Sequence, residues 1–310
     1  MIILKINRVQ FLEGIMNFTW IFGLFLLTSH IQPFTLIDDD ETLSEVERSN
    51  FILHVPGLEI LNTQKVEDYL TQIDSHIQRK PYNATIDDIG RIIPERVGYT
   101  LNKVALRKQL FTYFYEYEPS IVKVPKIAVY PKIDSELLSH IRTKRIGQYF
   151  TYYNPHNQSR SHNIQLATAA INNQVLFPGE VFSFNQVVGK RTIEKGYMKA
   201  REIVKGEFTE GIGGGICQVS STLFNAIDST GMTILERYSH SRNVNYVPQG
   251  RDATVSWYGP DFSFKNEYNQ PILIRAHARR GQVSIFIYSS EDINYVPKNI
   301  YSILPKSNHP

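Results

Sequence analysis

Glycines at 211, 213, 214 and 215 run into Cys217, the only cysteine of a 310-residue chain, and a helical spacing begins directly behind it. Glycine opens backbone directions closed to other residues, so the run fixes a sharp entry to whatever follows. Val219, Leu223, Ala226 and Ile227 repeat at the interval of one helix face, and Gly231 stands where such a helix would stop. Cys217 is therefore expected in a first helical turn, where unpaired N–H groups and the positive end of the helix dipole favour a thiolate. Gly214 and Gly215 would also let a substrate backbone come close.

His240 and Asp252 follow within 35 residues of the cysteine. A nucleophile at a helix start, a base on the next strand or loop and a carboxylate orienting that base is the triad logic in thiol form. Papain-like, transglutaminase-like and NlpC-type enzymes resemble this order and setting, with longer spacings. The competing reading is structural: a lone cysteine packs well as a small hydrophobe, and a histidine near a strand end can simply be hydrogen-bonded. A closed zinc site lacks ligands with only one cysteine, His240 and Asp252 at hand, so neither metal nor cofactor is expected.

Residues 1–32 point to the compartment. Lys5 and Arg8 precede an apolar stretch from Ile15 to Leu27, shorter than the roughly 20 residues that span a bilayer. Thr28 to Gln32 lack a small-x-small cleavage pattern, which favours an uncleaved anchor with its basic end in the cytoplasm over a cleaved signal peptide. The bulk of this single-pass chain is then expected outside the cell membrane. One cysteine allows no internal disulfide, and an unpaired thiol in an exported protein points to a dimer bridge or a reactive group. Lys and Arg number 33 against 30 Asp and Glu, without a basic stripe, so nucleic acid is not an expected partner. The cluster 142–145 reads as a solvated helix face.

The fold class expected is α+β: the anchor, a small α+β module at 44–130, an α+β domain at 131–290 with an antiparallel sheet and the Cys-bearing helix, and a polar tail at 291–310. In the module, Val66, Leu70, Ile73 and Ile77 suggest one helix, and Leu101, Val104, Leu106, Leu110 and Phe114 a second. In the domain, 166–171 reads as helix and 175–184 as strand, turn, strand. Residues 253–257, 262–266, 271–276 and 283–288 alternate as strands of an antiparallel sheet with helices on one face.

The stretch from about 151 to 255 resembles the VanW family, named for an accessory protein of vancomycin-resistance clusters. The residues that carry the resemblance are Asn163 to Ala167, Phe177 to Asn185, Gly189 to Thr192, Gly196-Tyr197, Gly213 to Ala226, Glu236 to Ser241 and Asp252 to Val255. Residues 44–130 resemble, more weakly, a peptidoglycan-binding domain of its relatives. Where relatives tend to read Thr-Thr-x-x-Asn and Asn-x-Arg, this chain has Thr151-Tyr152-Tyr153-Asn154 and Ser159-Arg160-Ser161-His162, which leaves 151–162 without an expected role. The resemblance implies a place in the cell envelope, with peptidoglycan or its stem peptides as partner. Two functions stay open. One is a thiol-dependent peptide hydrolase or transpeptidase using Cys217, His240 and Asp252, with Gly214, Gly215, Gln218, Ser220, Arg191 and Glu210 at the substrate. The other is a non-catalytic, membrane-anchored binding or scaffolding protein.

Overall fold

The computed structural model describes residues 33–116, 120–204 and 207–300, so the segment expected to anchor the chain lies outside the described residues. Among the described residues no helix is long and apolar enough to cross a membrane. The architecture is mixed α+β, with several small sheets, and the chain divides into two compact units.

The first unit takes residues up to 76 together with 101–125. Its strand Phe34–Asp38 pairs antiparallel with Glu41–Val46 and parallel with Ser120–Lys123. Helix Thr63–Ile77 forms on the expected spacing, with Val66, Leu70 and Ile73 buried. The second helix, Lys103–Glu116, starts later than the apolar spacing suggests. Asn102 caps it through its side chain to the Ala105 N–H (3.0 Å), so Leu101 ends a strand and Val104 is 73 % exposed.

The second unit takes 77–100 and 126–300 of the described chain, so the expected boundary near 130 is replaced by an interleaved one. Distant side chains tie 77–100 down: Arg275 donates to the carbonyls of Ile86 and Asp87 (both 2.8 Å), and Asn173 brackets the Ile86 backbone. The main sheet is antiparallel throughout, in the order Lys144–Tyr152, Gln282–Ser289, Ile272–Arg279, Gln174–Leu176. Helices Gln158–Ile171 and Ile216–Asp228 pack on it. Gly147 lets the first strand run close to the second of these helices, since a Cβ there would meet the Ala226 carbonyl at 2.6 Å. Val283, Ile285 and Ile287 alternate into the shared core with Ile164, Val219 and Leu223, all fully buried.

Four local expectations give way. Residues 142–145 are not a helix face: helix Ser135–Ile141 ends before them, and Lys144 and Arg145 open a strand opposite Ser289 and Tyr288. The strands on either side of Pro178 belong to different sheets, Gln174–Leu176 to the main one and Val181–Ser183 to a smaller one with Ser263–Lys265. Residues 253–257 carry only an isolated bridge at Thr254, because side chains occupy their backbone groups. The described part of the polar tail, 291–300, packs on the domain through buried Ile293 and Ile300 and through Lys298 on Asp228 (2.7 Å).

Candidate active site

Gly213 and Gly215 hold φ at +92° and +110°, and they turn the chain out of the hairpin strand Glu207–Ile212 into helix Ile216–Asp228. The space around the turn is filled by the chain itself. A Cβ on Gly214 would lie 2.4 Å from the Ala200 carbonyl oxygen, and one on Gly215 2.9 Å from Arg160 Cγ. Gly214 and Gly215 thus permit a close internal approach, in place of the substrate approach expected of them.

Cys217 is the second residue of this helix and its only member that is not buried. Helix and the segment 251–255 run antiparallel, and polar side chains of the helix fasten that segment rung by rung. Asn225 donates to the Arg251 carbonyl (2.7 Å), Ser220 to the Ala253 carbonyl (2.6 Å), and Ser221 accepts from the Ala253 N–H (2.9 Å). The last rung is the thiol, 3.5 Å from the Val255 carbonyl and 3.8 Å from Thr254 Oγ1. Side chains thereby satisfy backbone groups that a strand would have paired with a neighbour.

An antiparallel bridge joins Tyr238 to Thr254, and two residues inward on each side it sets His240 opposite Asp252. Asp252 Oδ2 accepts from the His240 backbone N–H (2.6 Å) and lies 2.7 Å from Nδ1. That contact commits Nδ1 as the donor and leaves Nε2 as the free ring nitrogen, and the ring and the Cys217 thiol each shift the other's ionisation. The pair is withdrawn from water, with side chains 6 % and 9 % exposed. A cavity of about 200 Å³ borders it, lined by His240, Asp252, Arg242, Pro248 and Gly250 among others.

The ionisation of these groups is set by opposing influences. Burial alone pushes the Cys217 thiol up, but the hydrogen bond and charge of His240, with smaller help from the Val255 backbone and Thr254, hold it below its ordinary value. Burial pulls His240 down; Asp252 and Cys217 outweigh it and raise the imidazole to about 9. Asp252 is pushed up by burial and brought below its usual range by His240. Both shifts work toward imidazolium beside thiolate.

The remaining expected contacts divide. Gln218 is buried and committed: its side chain donates to Thr151 Oγ1 (3.1 Å) and the Tyr152 carbonyl (2.9 Å) and accepts from Arg160 (2.9 Å), while its N–H bonds the Gly215 carbonyl. Ser220, fully buried, is a rung of the ladder, so both are structural where substrate contact was expected. Glu210 is exposed on the hairpin, across from Arg201. Arg191 packs behind Gly213 beside the thiol's field. Three residues that bear on the thiol are not among the expected site residues: Thr254, Arg160, and Tyr246, whose phenol is raised by burial and by the charge of Cys217. Arg160 lies in the one segment that departs from the expected pattern, and Tyr246 in a loop without periodicity. No local signal marks either. Among the described residues no group of three or more metal-binding side chains occurs.

A family model for VanW-like proteins matches residues 159–288, which span the cysteine helix, the His240–Asp252 pair and the main sheet from its packing helix to its central strands. The uncharacterized protein YoaR of Bacillus subtilis is 53 % identical over 275 residues, covering 88 % of this chain and 91 % of its own. The vancomycin B-type resistance protein VanW of Enterococcus faecalis is 30 % identical over 119 residues, 36 % of this chain and 42 % of its own. Among solved structures, a Cys-to-Ser mutant of an Enterococcus faecium L,D-transpeptidase aligns over 58 % of this chain and 71 % of its own at 11 % identity, with a TM-score of only 0.23, too low to carry a likeness of fold. By its matched region and its long, close relative, this chain belongs to the VanW family.

Proposed function

We propose that this protein is a cell-envelope enzyme that cleaves or exchanges an amide bond in peptidoglycan stem peptides, with Cys217 as nucleophile, His240 as acid and base, and Asp252 as the group that orients the imidazole. The observation that carries it is the pair itself, one Asp252 oxygen at 2.6 Å from the backbone and 2.7 Å from the ring of His240, an imidazole that Asp252 and Cys217 raise against the pull of burial. Peptidoglycan enters through the family and its relative named for vancomycin resistance. The basic-then-apolar start of the chain supports a single-pass anchor with the folded part outside the cell.

Chemically, the Cys217 thiolate adds to the amide carbonyl carbon, and the developing oxyanion is met by the Cys217 backbone N–H, which as a first-turn group has no partner within its helix. His240 passes its proton to the leaving amine, the C–N bond breaks and a thioester remains. Water or an acceptor amine, deprotonated by His240, then attacks the thioester and expels the thiolate. Water gives hydrolysis and an amine gives transpeptidation.

The test is incubation of the purified protein with muropeptides, with products followed by mass spectrometry. Wild type is expected to yield species shifted by the mass of water or of a joined peptide, and Cys217→Ala none. Turnover by a folded Cys217→Ala variant removes the thiol as nucleophile, and none by wild type across muropeptides that it binds leaves the non-catalytic binding protein as the function.

A further inference from the structure

A hairpin of the first unit turns an apolar face to solvent. Its strands, Ile52–Val55 and Leu58–Leu61, pair Leu53 with Ile60 and Val55 with Leu58, so these four side chains share one face. All four are exposed, from 39 % at Ile60 to 57 % at Leu58. The turn between them, Pro56-Gly57, adds no charge, and Gly57 holds φ at +76° there. The opposite face is committed to the protein: Leu61 is buried, and Glu59 pairs with Arg48 at 2.7 Å. The base is fixed as well. The Asn62 N–H bonds the Phe51 carbonyl (2.7 Å), and buried Phe51 meets the Tyr69 ring edge-on at 5.4 Å. Single exposed apolar residues are ordinary, whereas a paired set on one fixed face marks a binding surface.

Topology says what that face meets. Phe34 stands seven residues after Leu27, where the apolar start of the chain ends, so even a fully extended link leaves it no more than about 25 Å away. Phe34 lies opposite Val46 in the sheet. From Val46 the chain passes through one short helical turn, Arg48–Phe51, straight into the hairpin. The hairpin therefore leaves the sheet at the end where the anchor segment enters it. At the other end of the same two strands the turn carries exposed Asp39, Asp40 and Glu41, carboxylates that are costly to bring into lipid.

We propose that the 52–61 hairpin is a second membrane contact, with Leu53, Val55, Leu58 and Ile60 seated in the lipid surface beside the anchor. This rests on the anchor reading above and deepens it. An amphipathic surface element buries its apolar face about 5–10 Å into the boundary between headgroups and acyl chains. Contact at that depth holds the first unit against the bilayer and keeps its acidic turn in water.

The experiment is tryptophan fluorescence of the full-length protein in vesicles of phosphatidylcholine and phosphatidylglycerol, with and without lipids brominated near the headgroup end of the acyl chain. The chain has two tryptophans, Trp20 and Trp257. Leu58→Trp in a Trp20→Phe, Trp257→Phe background reports the hairpin alone, and Trp257→Phe by itself reports Trp20 in the anchor segment. The Leu58→Trp protein is expected to emit at shorter wavelength than in water and to lose most of that emission in brominated vesicles. Adding Val55→Asp and Ile60→Asp should abolish both changes. Water-like emission overturns the proposal, as does quenching that survives the two aspartates. So does blue-shifted emission without quenching, the result if a second copy of the chain or residues 1–32 cover the face. Trp20 keeps the two readings apart. Quenching of Trp20 without quenching in Leu58→Trp keeps the anchor and removes the hairpin contact, the reverse keeps the hairpin contact and removes the anchor, and quenching of neither removes both.

Discussion

Arg251 and Asp252 are neighbours in sequence, and each enters a buried ion pair, yet the two pairs are built for different ends. Arg251 meets Asp228 at 2.6 Å, Lys298 reaches the other Asp228 oxygen at 2.7 Å, and Arg251 also bonds Asn225 and lies 4.8 Å over the Phe224 ring. Asp228 is pushed up by burial but brought below its usual range by Lys298 and Arg251, and the cluster clamps the cysteine helix to the segment beside it. Asp252 instead meets a histidine, whose proton can leave and whose ionisation is coupled to that of the Cys217 thiol. One pair fixes position with permanent charges, and its neighbour uses that fixity to hold a mobile proton within reach of sulfur.

Substitution of the two pairs should therefore separate chemistry from stability. The largest effect is expected from Cys217→Ala: muropeptide turnover falls to background while chemical denaturation shifts by no more than about 1 kcal/mol, the side chain being only partly buried. Asp252→Asn comes next. Loss of the carboxylate charge lowers His240 from about 9 toward its ordinary value and removes the Nδ1 anchor. Turnover is expected to drop by about 10² to 10⁴-fold, the range general acid–base catalysis contributes. Retention of near-wild-type turnover in this variant would erase the distinction between the two pairs.

Much of this contrast is legible in the amino-acid sequence, and the boundary of what is legible there is physical. The cysteine helix announces itself because its glycine entry, its apolar period and its Gly231 stop are local signals, and a Cβ on Gly231 would indeed meet the Val296 carbonyl at 2.2 Å. The polar members of that helix mislead. Ser220, Ser221, Thr222 and Asn225 are all fully buried, hydrogen-bonded to backbone groups, and nothing in their letters separates a rung of an internal ladder from a substrate contact. For the same reason 253–257 reads as a strand: its alternation is real, but its hydrogen-bond partners lie on a helix more than 25 residues earlier. Arg160 and Tyr246 reach the thiol only through tertiary folding, as 77–100 reaches the second unit through Arg275 and Asn173.

On the other side of the comparison, Asp228→Ala leaves Arg251 buried and uncompensated, its side chain 11 % exposed. A loss of about 3 kcal/mol in urea denaturation is expected, the scale for removing one partner of a buried pair. Below the transition the folded variant should keep the pH profile of thiol alkylation, since none of the groups acting on Cys217 has been touched. A shifted alkylation midpoint in folded Asp228→Ala would mean that the clamp and the relay are one electrostatic unit.

The smallest effect is also the one that separates the pairs by sign. His240 is raised in the folded state, so its contribution to stability is complete below its unfolded value of 6.5 and is lost as pH rises through about 9. Asp252 is depressed, so its contribution is present above its unfolded value of 3.8 and is lost as pH falls through its lower folded value. Wild type should thus unfold more readily both above pH 9 and in strong acid, by denaturant titrations at fixed pH. Asp252→Asn flattens both limbs attributable to the relay, whereas Asp228→Ala lowers the curve and keeps its alkaline limb. The alkaline limb is the sharper of the two, because acid titrates Asp228 along with Asp252 while, among the described residues, only the relay carries an imidazole raised into that range.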